Sequence, residues 1–162
     1  MRLRGVLVFL FALALATTAA AQTKISGTIQ CKPDPVTPVA IGDKPNHSFS
    51  VVKSQCTWTT PLQIAGGQTK EGTDVAVSET TGDQSSDNGY HMDTMANGDK
   101  FTVRFQGTGK LKDGKLESQS GTWSFVEGTG KVKGIKGKGT YKGTANPDGA
   151  MTYKIDGEYS LP

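Results

Sequence analysis

Apolar and polar residues alternate with a period of two along most of the chain after residue 22, whereas helical periodicity is almost absent. Alternation of this kind is typical of strands that present one face to a core. Eight stretches show it, namely residues 24–31, 47–58, 73–80, 89–95, 100–109, 115–126, 136–142 and 150–159. The pattern therefore predicts an all-β protein.

Turn-forming residues separate the predicted strands. Asn97-Gly98 and Asp113-Gly114 suit tight hairpins because these residue types tolerate positive φ, and segment 146–149 (Asn-Pro-Asp-Gly) is a further strong turn. We predict a polar loop over residues 83–89. Short strands joined by hairpins at this spacing are typical of an antiparallel sandwich or barrel.

Three strands in the second half each have one apolar and one polar face, and together they could surround a single interior. A barrel of about eight strands is just wide enough to be filled by side chains or to hold one small ligand. The aromatic residues on these apolar faces are the candidate wall of a ligand cavity: Phe101, Phe105, Trp123, Phe125, Tyr153 and Tyr159. The alternative is that the same rings fill the core.

The first 21 residues have the pattern of a secretory signal peptide. Two arginines precede an unbroken apolar run of 11 residues, and three alanines end the segment at Ala21. The run is too short to span a bilayer. We therefore expect cleavage after Ala21, a single domain over 22–162, a secreted or periplasmic location and no membrane association after cleavage. Removing the two arginines lowers the formal net charge from +3 to +1.

The only two cysteines, Cys31 and Cys56, lie in the predicted mature chain. In an oxidising compartment such a pair predicts a disulfide, which would stabilise the fold by roughly 3.5 kcal/mol on the chain-entropy argument. The alternative is a metal site, but no CxxC spacing is present and the chain has only two histidines. We therefore predict a disulfide and no metal.

Glycine makes up 21 of the 162 residues, nearly twice the usual share, and is densest over residues 128–141. The spacing there matches neither GxGxxG nor a P-loop, so we expect no nucleotide and no other cofactor. A structural interpretation fits better. Val132 and Ile135 are three residues apart and predict a short helical turn near 129–135, and the glycines that follow permit close packing at a barrel corner.

The run GTWSFVEGTGKVKGIKGKGTYKG resembles the glycine-rich signature of the allene oxide cyclase and dirigent barrels, and of small bacterial proteins of the same barrel type without assigned activity. The resemblance covers roughly residues 101–159 and implies an eight-stranded antiparallel barrel. In the plant enzymes a hydrophobic cavity binds an oxylipin or a phenolic radical without a cofactor. Their catalytic residues lie in a part of the chain that does not match here, so none is transferred to this sequence.

Charge is segregated along the chain. Residues 71–99 contain seven acids and no Lys or Arg, and residues 100–142 contain ten bases and three acids. The basic block is either a face for an anionic ligand or one of two oppositely charged sets of strands that attract each other. We expect no nucleic-acid partner, because the mature charge is near zero and few aromatic residues interrupt the lysine run.

A few titratable residues are candidates for chemistry. His91 and Asp93 share one strand face, either as a base with its orienting partner, as metal ligands with Glu79 as a third, or as part of a solvated polar face. Glu79 and Glu117 are the weak catalytic candidates. A carboxylate that faces a barrel interior has a raised pKa and can act as an acid or base, unless a bulge turns it outward.

Three hypotheses for function follow. The first is a binding module for a small apolar or amphipathic molecule inside the barrel. The second is a cofactor-free isomerase or cyclase that uses an inward Glu79 or Glu117 with a tyrosine. The third is a structural or interaction protein with a filled barrel. The sequence contains neither GxSxG nor HExxH, which argues against a hydrolase or metalloenzyme of these classes. Ligand identity and oligomeric state stay open.

Overall fold

The structure is a computed structural model that describes residues 22–162, so the predicted signal peptide over 1–21 lies outside the described residues. The described residues form ten strands and one 3-10 turn at Gly130–Val132. The strands are β1 (Thr23–Pro33), β2 (Val39–Ala40), β3 (His47–Thr60), β4 (Gln63–Ile64), β5 (Gly67–Thr81), β6 (Gln84–Met95), β7 (Lys100–Lys112), β8 (Lys115–Gly128), β9 (Lys136–Ala145) and β10 (Met151–Ser160).

Eight long strands close into an antiparallel barrel. The order of hydrogen-bonded neighbours is β3-β1-β10-β9-β8-β7-β6-β5, and the pairing of β5 with β3 completes the ring. The two-residue strands β2 and β4 lie beside β3 and β5. The predicted eight-stranded barrel is therefore confirmed, and each of the eight predicted strands corresponds to one strand of the barrel.

The predicted loop over residues 83–89 is wrong. Strand β6 already begins at Gln84, after a tight turn in which Gly82 has φ 62°. The segment pairs with β5 on one side and with β7 on the other. Its inward-facing Ser85 and Asp87 are buried but polar, so the apolar alternation that marks the other strands is missing here.

One end of the barrel is closed by an apolar plug. Because the strands are antiparallel, the ends of β3, β6, β8 and β10 meet the starts of their neighbours at this capped end. Strand β4 and the 3-10 turn cover it. The buried plug consists of Trp58, Leu62, Ile64, Met95, Val132 and Ile135. Burying each aliphatic side chain of this kind contributes about 1.5–3 kcal/mol.

Inward-facing glycines make room for aromatic rings. Gly107 and Gly121 are register partners on β7 and β8, and a Cβ atom at Gly107 would lie 2.2 Å from the hydroxyl of Tyr141. A Cβ atom at Gly139 would lie 2.6 Å from a ring carbon of Trp123. Because such separations are far below van der Waals contact, the inward-facing part of the glycine excess has a steric cause.

The two cysteines join adjacent strands. Cys31 of β1 and Cys56 of β3 are register partners, both are buried, and their sulfur atoms are bonded to each other. The predicted disulfide is therefore confirmed. Within residues 22–162, no helix has the length and apolar character that crossing a membrane requires.

Candidate functional site

The half of the barrel away from the apolar plug is hollow. Its cavity has a volume of about 730 Å³. The mouth is bordered by residues 33–36 and by the turns that join β7 to β8 and β9 to β10, and we refer to this as the open end. Small-molecule sites typically enclose about 300–1,000 Å³, so the cavity is large enough for a ligand.

One side of the cavity is aromatic. Five of the six predicted wall residues line it, namely Phe101, Phe105, Trp123, Phe125 and Tyr153. Tyr159 does not, and its hydroxyl accepts a hydrogen bond from the backbone N–H of Ala65 (3.1 Å). Phe125 packs edge-on against both Phe101 and Trp123, with ring centroids 5.3 and 5.2 Å apart. These contacts hold the rings in fixed orientations.

The opposite side carries a buried histidine between two carboxylates. His91 of β6 donates from Nδ1 to Asp74 Oδ1 (2.6 Å) and from Nε2 to Asp93 Oδ2 (3.0 Å). Asp74 is the register partner of His91 on β5. Trp58 Nε1 also donates to Asp93 Oδ2 (2.8 Å). Gly72 leaves room for the imidazole, since a Cβ atom there would lie 2.5 Å from the ring.

The electrostatics of this cluster favour a charged imidazole. Burial disfavours the charged form of His91, but the charge and hydrogen bond of Asp74 and those of Asp93 outweigh it and raise the pKa to about 10. Burial raises the pKa of Asp93, against the hydrogen bonds from His91 and Trp58. The other oxygen of Asp93, Oδ1, is buried without a hydrogen-bond partner among the described residues. At neutral pH the cluster therefore places a positive imidazolium in the cavity wall.

A second polar network lies nearer the open end. Asp87 Oδ2 accepts hydrogen bonds from Ser85 Oγ and from Gln119 Nε2, both at 2.8 Å. Tyr153 donates its hydroxyl to Gln119 Oε1 (2.7 Å), which fixes the orientation of the amide. The network links β6 to β8 and β10 across the cavity. It holds a carboxylate and a phenol at defined positions in the lining.

Tyr141 has a free hydroxyl in the same cavity. Its ring packs edge-on against Phe105 and Tyr153, with centroids 6.1 and 5.8 Å apart. The hydroxyl is buried and has no hydrogen-bond partner within residues 22–162. Burial raises the pKa of Tyr141, and the negative charges of Asp87 and Asp74 raise it further. The phenol therefore stays protonated, and it can donate a hydrogen bond to a bound molecule or accept one from it.

Comparisons with known proteins extend only to the fold. No protein-family profile and no curated protein sequence matches the chain. The barrel is similar to that of the pterocarpan synthase dirigent protein, at 12% identity and a TM-score of 0.49, over 96% of this chain and 98% of that one.

Two further similar structures have no known function. The first is a DUF3224-family protein from Shewanella oneidensis MR-1, with a TM-score of 0.47 and 14% identity over 88% of this chain and all of that one. The second is a conserved protein from Rhodopseudomonas palustris, with a TM-score of 0.46 and 14% identity over 90% and 100% of the two chains.

The two predicted carboxylates do not face the interior. Glu79 is about half exposed and accepts a hydrogen bond from His47 Nε2 (2.8 Å) on the outside of the barrel. Glu117 is exposed as well, because a bulge in the pairing of β7 with β8 leaves Leu116 and Gln119 as the inward residues. The expectation that either carboxylate acts from inside the barrel is therefore wrong.

The shared face of His91 and Asp93 points inward. The sequence left open whether this face is solvated, and the structure shows that both residues are buried and line the cavity. Their third partner is Asp74, and the suggested Glu79 lies on the other face of β5. The sequence does not indicate which face of β5 points inward. Its exposed face carries Val75 and Val77, whereas the side chains of its inward face are small or polar.

The described residues contain one other cluster of ligand atoms and one other groove. Ligand atoms of Cys31, Cys56 and Asp74 lie within 4.8 Å of one another, but the two sulfur atoms are bonded to each other. A wide groove of about 1030 Å³ crosses β7 to β10 and β1, and it is more open to solvent than the barrel cavity. Neither feature combines enclosure with free polar groups, as the barrel cavity does.

Proposed function

We propose that the protein binds a small amphipathic molecule inside the barrel. The observation that carries this proposal is the cavity of about 730 Å³ and the division of its lining. Strands β5 and β6 contribute carboxylates, hydroxyls and an imidazole, whereas β7 to β10 contribute most of the aromatic rings. A ligand with an apolar body and one polar end complements such a lining.

The unpartnered polar atoms of the lining support the same proposal. The hydroxyl of Tyr141 and the Oδ1 atom of Asp93 are buried without partners in the described part of the chain. A buried polar group without a partner costs about 1–3 kcal/mol. A bound ligand that hydrogen-bonds to the hydroxyl of Tyr141 recovers part of this free energy.

An exported location is part of the proposal. The buried Cys31–Cys56 disulfide supports it, because structural disulfides persist mainly in oxidising compartments. The partner of the protein in this compartment is the ligand itself; we propose neither a nucleic acid nor a membrane partner. Soluble ligands of the extracellular or periplasmic space are therefore the class to search.

Blocking the cavity tests the proposal. Ala76 lines the cavity, and its neighbour Val77 faces outward on the same strand, so Ala76→Trp and Val77→Trp form a matched pair. We expect the native protein and the Val77→Trp variant to bind the neutral fluorophore N-phenyl-naphthylamine saturably, and Ala76→Trp to lose this binding. Equal binding by both variants would show that the fluorophore binds elsewhere and would contradict the proposal.

Native mass spectrometry identifies what the barrel carries. The protein is purified without denaturation from the compartment in which it accumulates, and its mass is compared with that of the protein refolded from urea. A retained small molecule that is lost on refolding supports ligand binding. A barrel that retains nothing and binds no probe favours a structural role.

The second candidate is a cofactor-free isomerase or cyclase. The observation that favours it is the unpartnered hydroxyl of Tyr141, which can donate a hydrogen bond to an oxyanion that develops on the substrate, in a cavity that also holds a charged imidazole. The test is to incubate the protein with the retained molecule and analyse it by chromatography. An enzyme converts the molecule and loses about 100-fold or more in rate in Tyr141→Phe. A carrier leaves it unchanged.

A further inference from the structure

The charge of the cavity narrows the ligand class. We propose that the polar end of the ligand is cationic, a protonated amine bound between the Asp87 carboxylate and the hydroxyl of Tyr141. This inference rests on the proposed function, since it presupposes that the barrel binds a ligand.

Acidic groups predominate in the lining. Five carboxylates face the cavity or its mouth, namely Asp34, Asp74, Asp87, Asp93 and Asp148. The basic residues of the lining are Lys115 at the mouth and His91 in the wall. The predicted mature chain has a formal charge of +1, so the residues outside this lining carry a net positive charge. The cavity is thus a negative region in a protein of the opposite sign, and such a region attracts and concentrates cations.

The hydrogen bonds around Asp87 leave one oxygen available. Both of its donors, Ser85 Oγ and Gln119 Nε2, reach Oδ2, and Oδ1 receives no hydrogen bond from the described residues. Asp87 itself is buried and lines the cavity. An ammonium N–H provides the charge-assisted hydrogen bond that a carboxylate oxygen in this position lacks.

Tyr141 is the second, independent feature that points to a ligand. Its side chain lines the cavity, the residue is 6% exposed, and its hydroxyl has no partner in residues 22–162. Gly107 is the register partner of Asp87 on β7, and a Cβ atom at Gly107 would lie 2.2 Å from this hydroxyl, so the phenol lies beside Asp87. The hydroxyl can accept a second ammonium N–H, and the faces of nearby aromatic rings favour a cation.

Other ligand charges fit less well. A carboxylate or phosphate would be desolvated beside Asp87 and Asp74, which the charges of the lining oppose. A divalent metal ion requires several converging ligand atoms. Within the described chain the one such group of three contains the disulfide sulfurs and not Asp87. An organic cation uses both the carboxylates and the aromatic wall.

A matched set of probes tests the charge directly. Octylamine, octanol and octanoate share one apolar body and differ at the polar end, and their affinities at neutral pH are measured by calorimetry. We expect octylamine to bind at least about 10-fold more tightly than octanol, and octanoate to bind most weakly. Octanol or octanoate binding as tightly as octylamine overturns the inference but leaves ligand binding intact. If all three and the neutral fluorophore fail to bind, the proposed function fails with it.

Two variants test whether the charge of Asp87 causes the preference for the amine. Asp87→Asn keeps the shape of the side chain and removes its charge, and Asp156→Asn makes the same charge change on a half-exposed side chain outside the cavity. We expect Asp87→Asn to reduce the preference for octylamine over octanol to about 3-fold or less, and Asp156→Asn to retain it. An unchanged preference in Asp87→Asn overturns the assignment. Circular dichroism and urea unfolding establish that both variants fold, and the probe series on the native protein stands without them.

Discussion

The two histidines of the chain occupy the same local arrangement in two different environments. His47 donates to Asp43 and Glu79, and His91 donates to Asp74 and Asp93, so each imidazole lies between two carboxylates. The imidazoles themselves are covered to a similar degree, with side chains 9% and 11% exposed. The difference lies in the carboxylates that surround them.

The partners of His47 are half exposed, whereas Asp74 beside His91 is mostly covered and Asp93 is fully buried. Asp43 and Glu79 are 52% and 49% exposed, against 19% for Asp74 and 0% for Asp93. The hydrogen bond that His47 donates to Glu79 is the main cause of the raised pKa of His47, and solvent screens this pair. Around His91 there is little water to screen the charges. Similar hydrogen bonds therefore contribute different free energies of stabilisation in the two clusters.

Their structural roles differ for the same reason. The His47 cluster attaches the segment before β3 to the outside of β5, where the connection is also held by the backbone hydrogen bond from Gly82 N–H to the Asn46 carbonyl. The His91 cluster spans β5 and β6 inside the barrel and forms part of the cavity wall. We therefore expect the surface cluster to contribute little to stability and the interior one to contribute more.

Removing each imidazole in turn should give the largest difference in stability between the two clusters. His91→Ala leaves the fully buried Asp93 without its cationic partner, and we expect the free energy of unfolding to fall by roughly 3–5 kcal/mol. His47→Ala leaves two carboxylates that water can solvate, so we expect a much smaller loss. Equilibrium urea unfolding of the two variants measures both. Equal losses would contradict the comparison.

The stability of the native protein should fall at alkaline pH because of His91. Its pKa is about 10 in the folded protein, against an ordinary value of 6.5. The folded state therefore retains a proton that the unfolded chain has lost, so the stabilisation is complete below pH 6.5 and disappears as the pH rises through about 10. Urea unfolding across this range, with imidazole NMR shifts, measures the effect. The His47→Gln variant should show the same loss, and a His91 titration near 6.5 would refute the argument.

Most of the fold was predictable from the sequence because most strands combine an apolar and a polar face. Strands β7, β8 and β10 each have several inward aromatic or aliphatic side chains at alternate positions, and the inward face of these apolar residues was predicted correctly. The start of β6 was missed because Ser85 and Asp87 face the interior. Alternation of apolar and polar residues reveals a strand only where the inward face of the strand is apolar. Strands that line a functional cavity often have polar inward faces instead.

The candidate site was predictable only in part for the same reason. The spacing of His91 and Asp93 predicts that they share one strand face. It does not predict which residue of the neighbouring strand lies beside them. The turn at residues 82–83 pairs Thr81 with Gln84, and counting back along both strands places Asp74 opposite His91. A correct assignment of this two-residue turn would therefore have found Asp74. The bulge that turns Glu117 outward has no comparable signal in the sequence.

Neutralising one carboxylate in each cluster should shift the two histidines unequally. Asp74→Asn removes the strongest attraction that holds the proton on His91, and we expect the pKa of His91 to fall by roughly 1–3 units. Glu79→Gln should lower the pKa of His47 by less, because that carboxylate is half exposed. Imidazole NMR titration measures both. A larger change at His47 would show that exposure does not control the clusters.

Added salt should affect only the outer cluster. At about 1 M salt the screening length is near 3 Å, which is comparable to the separation of His47 from its partners. Ions reach the half-exposed Asp43 and Glu79, so we expect the pKa of His47 to fall towards its ordinary value. They do not reach the buried Asp93, so the pKa of His91 should stay constant. NMR titration at low and high sodium chloride measures the two shifts in one sample. A salt-dependent pKa at His91 would mean that the cavity admits ions to the cluster, and the contrast between a screened and an unscreened histidine would then be lost.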